Sequence, residues 1–359
     1  MSDAKQDLVD ASLLSSSHLT PIDHKSHPLS SWPSIKPNPI GRLSLLNPSI
    51  TVAAAREGIQ VGKSIPIDWP VYHSGTCLFD RPCGQHEIKR KGYGDDEIKR
   101  KGYGDDEKQQ TDENGTPWIV CYDEILTINT QASSQWDYFL HFSYPGSGVF
   151  YGGIKDQDIL NRKTGDVCVA ALAKAGGIQT RGILIDIPLY LEQNNLPSNP
   201  PLVNPASNPV DLPLLLKAVE HFHLQPRPGD ILLVRTGFED VYREDSEKAQ
   251  VDRHRESAIQ GRWYGVEGKE DVVKWIWETG FVAVGSDNPT FESWPVWENA
   301  VWMHPTLLSG MGIPIGEILR LNEVASECQR QNRWSFYFSS VPLQIENGIA
   351  SPPNAVAIF

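Results

Sequence analysis

Short apolar, β-branched runs punctuate the second half of the chain. ILIDIPL (183–189), ILLVRT (231–236) and FVAVGSD (281–287) are each bounded by Gly, Pro or Asp, as strands buried on both faces are. Between them the apolar spacing becomes helical. In VDLPLLLKAVEHF, Leu214, Leu215, Ala218, Val219 and Phe222 share one helical face behind Asp211, which can cap the first turn. KEDVVKWIWETG closes on Gly280, a residue suited to stop a helix. Near the C-terminus RWSFYFSSVPL alternates as a half-buried strand does. Strands and helices in alternation from residue 116 or so onward predict an α/β fold, a mixed sheet flanked by helices.

Upstream the pattern is different. Residues 1–55, rich in Ser, Pro and His over their first 50 positions, read as an irregular N-terminal arm, and 56–359 as a single catalytic domain. The decapeptide EIKRKGYGDD occurs at 87–96 and again, unchanged, at 97–106. One exact duplication is not a stacking repeat. With little in it to bury, the segment 85–112 reads as a solvated surface loop.

Composition narrows the function classes. The chain has 359 residues, 40% of them apolar and 21% charged, an ordinary balance for a folded domain. A formal charge of −13 argues against nucleic acid or anionic membrane as partners. The five cysteines, Cys77, Cys83, Cys121, Cys168 and Cys328, form no CxxC pair and read as free thiols. MSDAKQDLVDASLL has no sustained apolar stretch, and no run approaches the roughly 20 residues a membrane span needs, so a cytoplasmic protein is expected.

The chemistry concentrates in INTQASSQWDYFLHFSYPGSGVFYGG (128–153). Gln131, Ser133, Gln135, Asp137 and His141 stand an even number of positions apart, so an extended strand would project all five from one face. Trp136, Tyr138 and Leu140 would face the other way, and Trp136, Tyr138 and Phe150 could wall a pocket for a flat molecule. Each polar residue taken singly also has an ordinary structural role. Asp137 could cap a turn and His141 could be a hydrogen-bonded core histidine. His304 could belong to a loop before Pro305, and Glu317 could face solvent from a helix.

The stretch resembles the signature of the cyclase superfamily, which includes kynurenine formamidases and isatin hydrolase and carries His-x-Gly-Thr-His-x-Asp-x-Pro, usually followed by a further His. On that pattern the metal-binding positions fall on Gln131, Gln135 and Asp137, and the catalytic His falls on His141. TRGILIDIPLYLE, PGDILLVRTGFEDVY and AVGSDNPTFESWP resemble later blocks in the same order, the last placing Asp287 and Asn288 as substrate-binding candidates. WMHPTLLSGMGIPIGEIL resembles the block that supplies late ligands, on His304 and Glu317. The closing segment is similar to a fungal branch in which Gln-Trp-Asp replaces His-x-Asp. The resemblance spans about residues 60–359 and implies a swivelling β/β/α fold, often as a homodimer or homotetramer. HSGT at 73–76 mimics half of the motif but lacks its second His and Asp, and reads as a loop.

The resemblance implies a hydrolase of the arylformamidase-like kind, acting on an amide, lactam or related acyl bond of a small aromatic substrate. His141 would be the general acid/base, with Glu317 and Asp137 beside it. A divalent metal, Mn²⁺ or Zn²⁺, would be held by Gln131, Gln135, Asp137, His304 and Glu317; no nucleotide cofactor is expected. Two imidazoles exchanged for two carboxamides weaken that donor set, since an amide oxygen is a hard, weak ligand. Two further readings therefore stay open: a metal-independent lyase, dehydratase or cyclase, and a non-catalytic binding protein that kept the pocket.

Overall fold

A computed structural model describes residues 11–15, 17, 19, 29–32, 35–71, 78–82, 84–92, 120–197, 209–242, 262–296 and 300–359. In chain order its strands are β1 (Ser64–Pro66), β2 (Gln85–Gly92), β3 (Val120–Thr127), β4 (Gln135–Asp137), β5 (Ile178–Asp186) and β6 (Ile231–Arg235), followed by β7 (Ala283–Ser286), β8 (Ile315–Glu317), β9 (Ser335–Ser340), β10 (Ala350–Ser351) and β11 (Ala355–Ile358). Nine of them form one mixed sheet in the order β1-β11-β9-β5-β6-β7-β8-β4-β10. With helices against it, this is the α/β architecture the alternation predicts.

The parallel centre follows from the apolar runs. β5, β6, β7 and β8 are parallel neighbours, with Leu184 beside Leu233 and Leu233 beside Gly285. Ile231, Leu232, Leu233 and Val234 are fully buried, as strands covered on both faces must be. The helices form where spacing and caps place them. Leu212–His221 begins with Asp211 accepting the Leu214 N–H, and Glu270–Thr279 ends on Gly280 in the left-handed conformation. The run 183–189 is divided: the strand stops at Asp186 and a helix starts at Ile187. Asp186 caps it through the Leu189 N–H and Pro188 fits its first turn. β9 alternates as predicted, with Phe336, Phe338 and Ser340 buried.

Two segments differ from the sequence reading. The described part of the N-terminal segment is not irregular throughout. Helix Pro48–Gly58 packs on β5 and β9, Trp32 Nε1 donates to the Ser309 carbonyl, and the Arg42 guanidinium sits 3.6 Å over the Trp277 ring. The surface loop 85–112 begins as a strand, because β2 pairs antiparallel with β3 from Gln85↔Thr127 to Gly92↔Val120. The partner lies far along the chain, and both faces of the ribbon meet solvent, so neither strand shows the burial pattern that identifies one. The rest of the duplication, and HSGT at 73–76, fall outside the described residues.

Toward one end of the sheet, β8 and β4 bring the polar residues together. β4 runs antiparallel to it, placing Gln135 opposite Glu317 and Asp137 opposite Ile315. Trp136, on the other face, lies against β8 at Gly316, where an added Cβ would come within 2.9 Å of the indole.

Candidate active site

Only Gln135–Asp137 of the polar stretch is strand, so the expectation that one extended strand aligns five polar residues is corrected. Asn129 Oδ1 accepts the Gln131 N–H and starts a turn. The Ser133 and Ser134 hydroxyls donate to the carbonyls of Pro70 and Ile318, drawing the chain away from a ladder. After the strand the backbone turns again, and His141 N–H donates to the Tyr138 carbonyl. The side chains converge all the same, because turns on both sides of β4 fold Gln131 and His141 back onto Asp137.

Asp137 is the hub. Its Oδ1 accepts from Gln131 Nε2 at 2.7 Å, and its Oδ2 lies 3.5 Å from Gln135 Nε2, 3.4 Å from His141 Nε2 and 3.8 Å from His304 Nε2. Gln135 Nε2 also donates to Glu317 Oε2 at 2.5 Å, and Glu317 Oε1 is 2.8 Å from His304 Nε2. Gln135, Asp137, His304 and Glu317 are buried, whereas the His141 side chain keeps 18% of its surface open. His141 is thus the more exposed of the two imidazoles.

The electrostatics separate the two imidazoles. Burial pulls the pKa of His141 down to about 4, with Asp137 opposing and His304 and Arg81 assisting, so His141 is a neutral base at neutral pH. Burial also works against a charged His304, but Glu292 and Glu317 outweigh it and hold its pKa well above that of ordinary imidazole. Burial and then the Asp137 charge raise the Glu317 carboxyl to about 7, against the pull of His304.

Several substrate-binding expectations find other roles. Trp136 is fully buried and donates through its indole N–H to Ser340 Oγ at 2.9 Å. Tyr138 is stacked on Phe139 and donates to the Pro39 carbonyl, and Phe150 packs with Leu140, Cys168 and Ala170. A large apolar ring beside a packed sheet is worth more in the core than at a pocket wall. Asp287 accepts from Thr236 N, Thr236 Oγ1 and Gly237 N at 2.7–2.9 Å, and Asn288 Nδ2 donates to the Tyr264 carbonyl. Both pin the loop after β7.

Sequence reasoning missed three residues. Phe142, half-buried, lies with its ring centroid 4.6 Å from that of His141 and 4.9 Å from that of His304, the aromatic position expected of Trp136. Arg81 donates through Nη1 to the Gln131 carbonyl and lies 3.4 Å from Gln135 Oε1. Glu292 stands 3.4 Å from His304 Nδ1. Phe142 was legible as an aromatic next to His141. The other two were not, since nothing near them in the chain signals a site.

As a metal centre, Asp137, His304 and Glu317 fit: one ligand atom from each lies within 4.8 Å of the other two. Gln131 and Gln135 do not act as oxygen donors in this arrangement, because both aim amide N–H groups at the carboxylates. Arg81 against Gln135 Oε1 favours that orientation.

Beside β4 and β8 a mixed α/β sheet thus gathers two imidazoles and two carboxylates, groups chemically able to move a proton or hold a cation. The Cyclase family profile matches residues 26–293, over half of the chain, and the protein belongs to that family. The match ends before His304 and Glu317. A crystal structure described as a novel cyclase is similar over 90% of this chain and 96% of its own, at 25% identity and a TM-score of 0.69. Isatin hydrolase A from Labrenzia aggregata, bound to benzyl benzoate, shares the fold over 82% of this chain and 93% of its own, at 15% identity and a TM-score of 0.50. No curated protein matches the chain by sequence. Among the described residues no helix is long and apolar enough to cross a membrane.

Proposed function

We propose that the chain is a hydrolase acting on an amide, lactam or related acyl bond of a small aromatic molecule. The observation that carries this reading is the position of His141: a neutral imidazole, partly exposed, with its Nε2 3.4 Å from a buried carboxylate. Such a ring can take a proton from water while the oxygen attacks the acyl carbon. Asp137 stabilises the imidazolium that forms. As the C–N bond breaks, the same ring returns the proton to the leaving nitrogen, and acid and amine products separate. Phe142 offers an aromatic surface beside both imidazoles on which a flat substrate can lie.

Asp137, His304 and Glu317 would hold a divalent cation, which when bound supplies polarisation of the carbonyl and a more acidic water. Gln135 ties the two carboxylates together, and Gln131 holds Asp137 from the side of the polypeptide turn. Turnover of a panel of aryl amides and lactams, isatin among them, tests the reading. Ring opening with one water incorporated supports it, and its absence across the panel in metal-supplemented protein argues against it.

A second reading, a metal-independent lyase or cyclase, is favoured by one observation: the Gln135 amide N–H group bridges Asp137 and Glu317, Gln131 donates to Asp137, and Arg81 holds both glutamines through their oxygens. Turnover that survives elemental analysis free of metal, with no water incorporated, separates it from the first.

A further inference from the structure

Glu292 has no part in the chemistry above, yet it is a poorly accommodated charge. It is 2% exposed, and among the described residues no group other than His304 is placed to donate to either carboxylate oxygen, whereas Asp68 and Glu267 each leave a single oxygen without a partner. A buried carboxylate without donors is costly unless a positive group lies against it. It also borders a cavity of about 10 Å³ whose described lining, Pro209, Glu267, Gly268, Ser293 and Val301 among others, includes no cationic side chain. Against it lies His304, with Nδ1 3.4 Å from Glu292 Oε1.

The loop that delivers Glu292 is firmly held. Asp287 accepts the N–H groups of Thr236 and Gly237, and Asn288 donates to Tyr264. Val266 bridges to Glu292 and Trp263 to Trp294. Phe291, just before Glu292, has a φ of 58°, a left-handed backbone that a bulky residue adopts only under constraint. His304 thus lies between two carboxylates, Glu292 at Nδ1 and Glu317 at Nε2, 2.8 Å away.

We infer that Glu292 is the positioning residue of His304: it takes the Nδ1–H, fixes the plane of the ring and presents Nε2 to Glu317 and Asp137. A carboxylate behind a ligating imidazole sets both the orientation of the ring and which nitrogen faces the centre. The inference rests on reading His304 as a site residue and gives Asp287 and Asn288 their function, as the pins of the loop that carries Glu292.

The test is proton NMR of ¹⁵N-histidine-labelled, chelator-stripped protein, with the His304 ring assigned by its loss in His304→Asn. The wild type is expected to show a low-field Nδ1–H resonance of an imidazole bonded to carboxylate. Glu292→Gln, folded by circular dichroism, is expected to lose it while keeping the Nε2–H resonance toward Glu317. Mn²⁺ affinity by calorimetry is expected to fall about 10- to 100-fold in the same variant. An unchanged Nδ1–H resonance in Glu292→Gln overturns the inference. If that variant does not fold, Glu292→Asp, which withdraws the charge by one methylene, should weaken the resonance, and an unchanged signal there overturns it equally. A wild type that takes up no Mn²⁺ defeats the metal reading of the site, while the resonance still decides the role of Glu292.

Discussion

Strands β6 and β7 and the adjoining pair β8 and β4 belong to one sheet and are buried almost throughout, but they are buried with opposite contents. β6 and β7 put Leu232, Leu233, Val234 and Val284 into packed hydrocarbon. β8 and β4 put Gln135, Asp137 and Glu317 into the same depth and tie them with a short chain of polar contacts. Burial of apolar surface stabilises a fold directly. Burial of two carboxylates a few ångströms apart does not, since each loses its hydration and repels the other. The first region holds the molecule together, and the second is tolerated because the first is strong enough.

Breaking the polar region at its open end should have the largest effect. His141→Ala is expected to lower kcat by roughly 10²- to 10⁴-fold, the usual worth of a positioned acid/base, with circular dichroism unchanged. Full activity in that variant ends its assignment. In the apolar region the effect should move from rate to stability. Leu233→Ala, at a fully buried position, is expected to cost about 2–5 kcal/mol in urea unfolding, with residual folded protein keeping its kcat. Asp137→Asn sharpens the contrast: turnover is lost while the melting temperature holds or rises, because one of two facing charges is gone.

A smaller effect concerns pH. The Glu317 carboxyl is raised from 4.5 to about 7 by burial and by Asp137. It therefore keeps its proton in the folded chain after the unfolded chain has released it. In metal-free protein this contribution to stability is complete below about pH 4.5 and is lost as the pH climbs through 7. Melting curves from pH 5 to 8 should show that decline in the wild type and not in Glu317→Gln. The smallest shift is expected from cation binding: Mn²⁺ at about 100 times its Kd should add about 2.7 kcal/mol by mass action, and Asp137→Asn should abolish the increment.

Much of the apolar region was legible in the chain. ILLVRT and FVAVGSD become β6 and β7, and Asp211 and Gly280 delimit helices as their chemistry suggests. The site was legible only as a set of residue types. Even spacing led to one straight strand, whereas Ser133 and Ser134 break it by bonding to the Pro70 and Ile318 carbonyls, partners distant in the chain. The aromatic wall was misplaced for the same reason. Nothing in Gln-Trp-Asp-Tyr tells that β8 and Ser340 will enclose Trp136 and leave Phe142 beside the imidazoles.

By itself, then, the sequence determined what period and capping encode: the buried strands, the helices between them, and the identity of the groups able to carry protons or hold a cation. These are local properties, set by side chains a few positions apart. Only the tertiary structure decided which of those groups meet. Sheet order and loop anchoring bring His304 to Asp137 and Glu317, Arg81 to Gln135 and Glu292 to His304, and the pKa of His141, His304 and Glu317 depends on what surrounds each once water has left. Desolvation and charge act through space, and space is what the linear order of residues does not record.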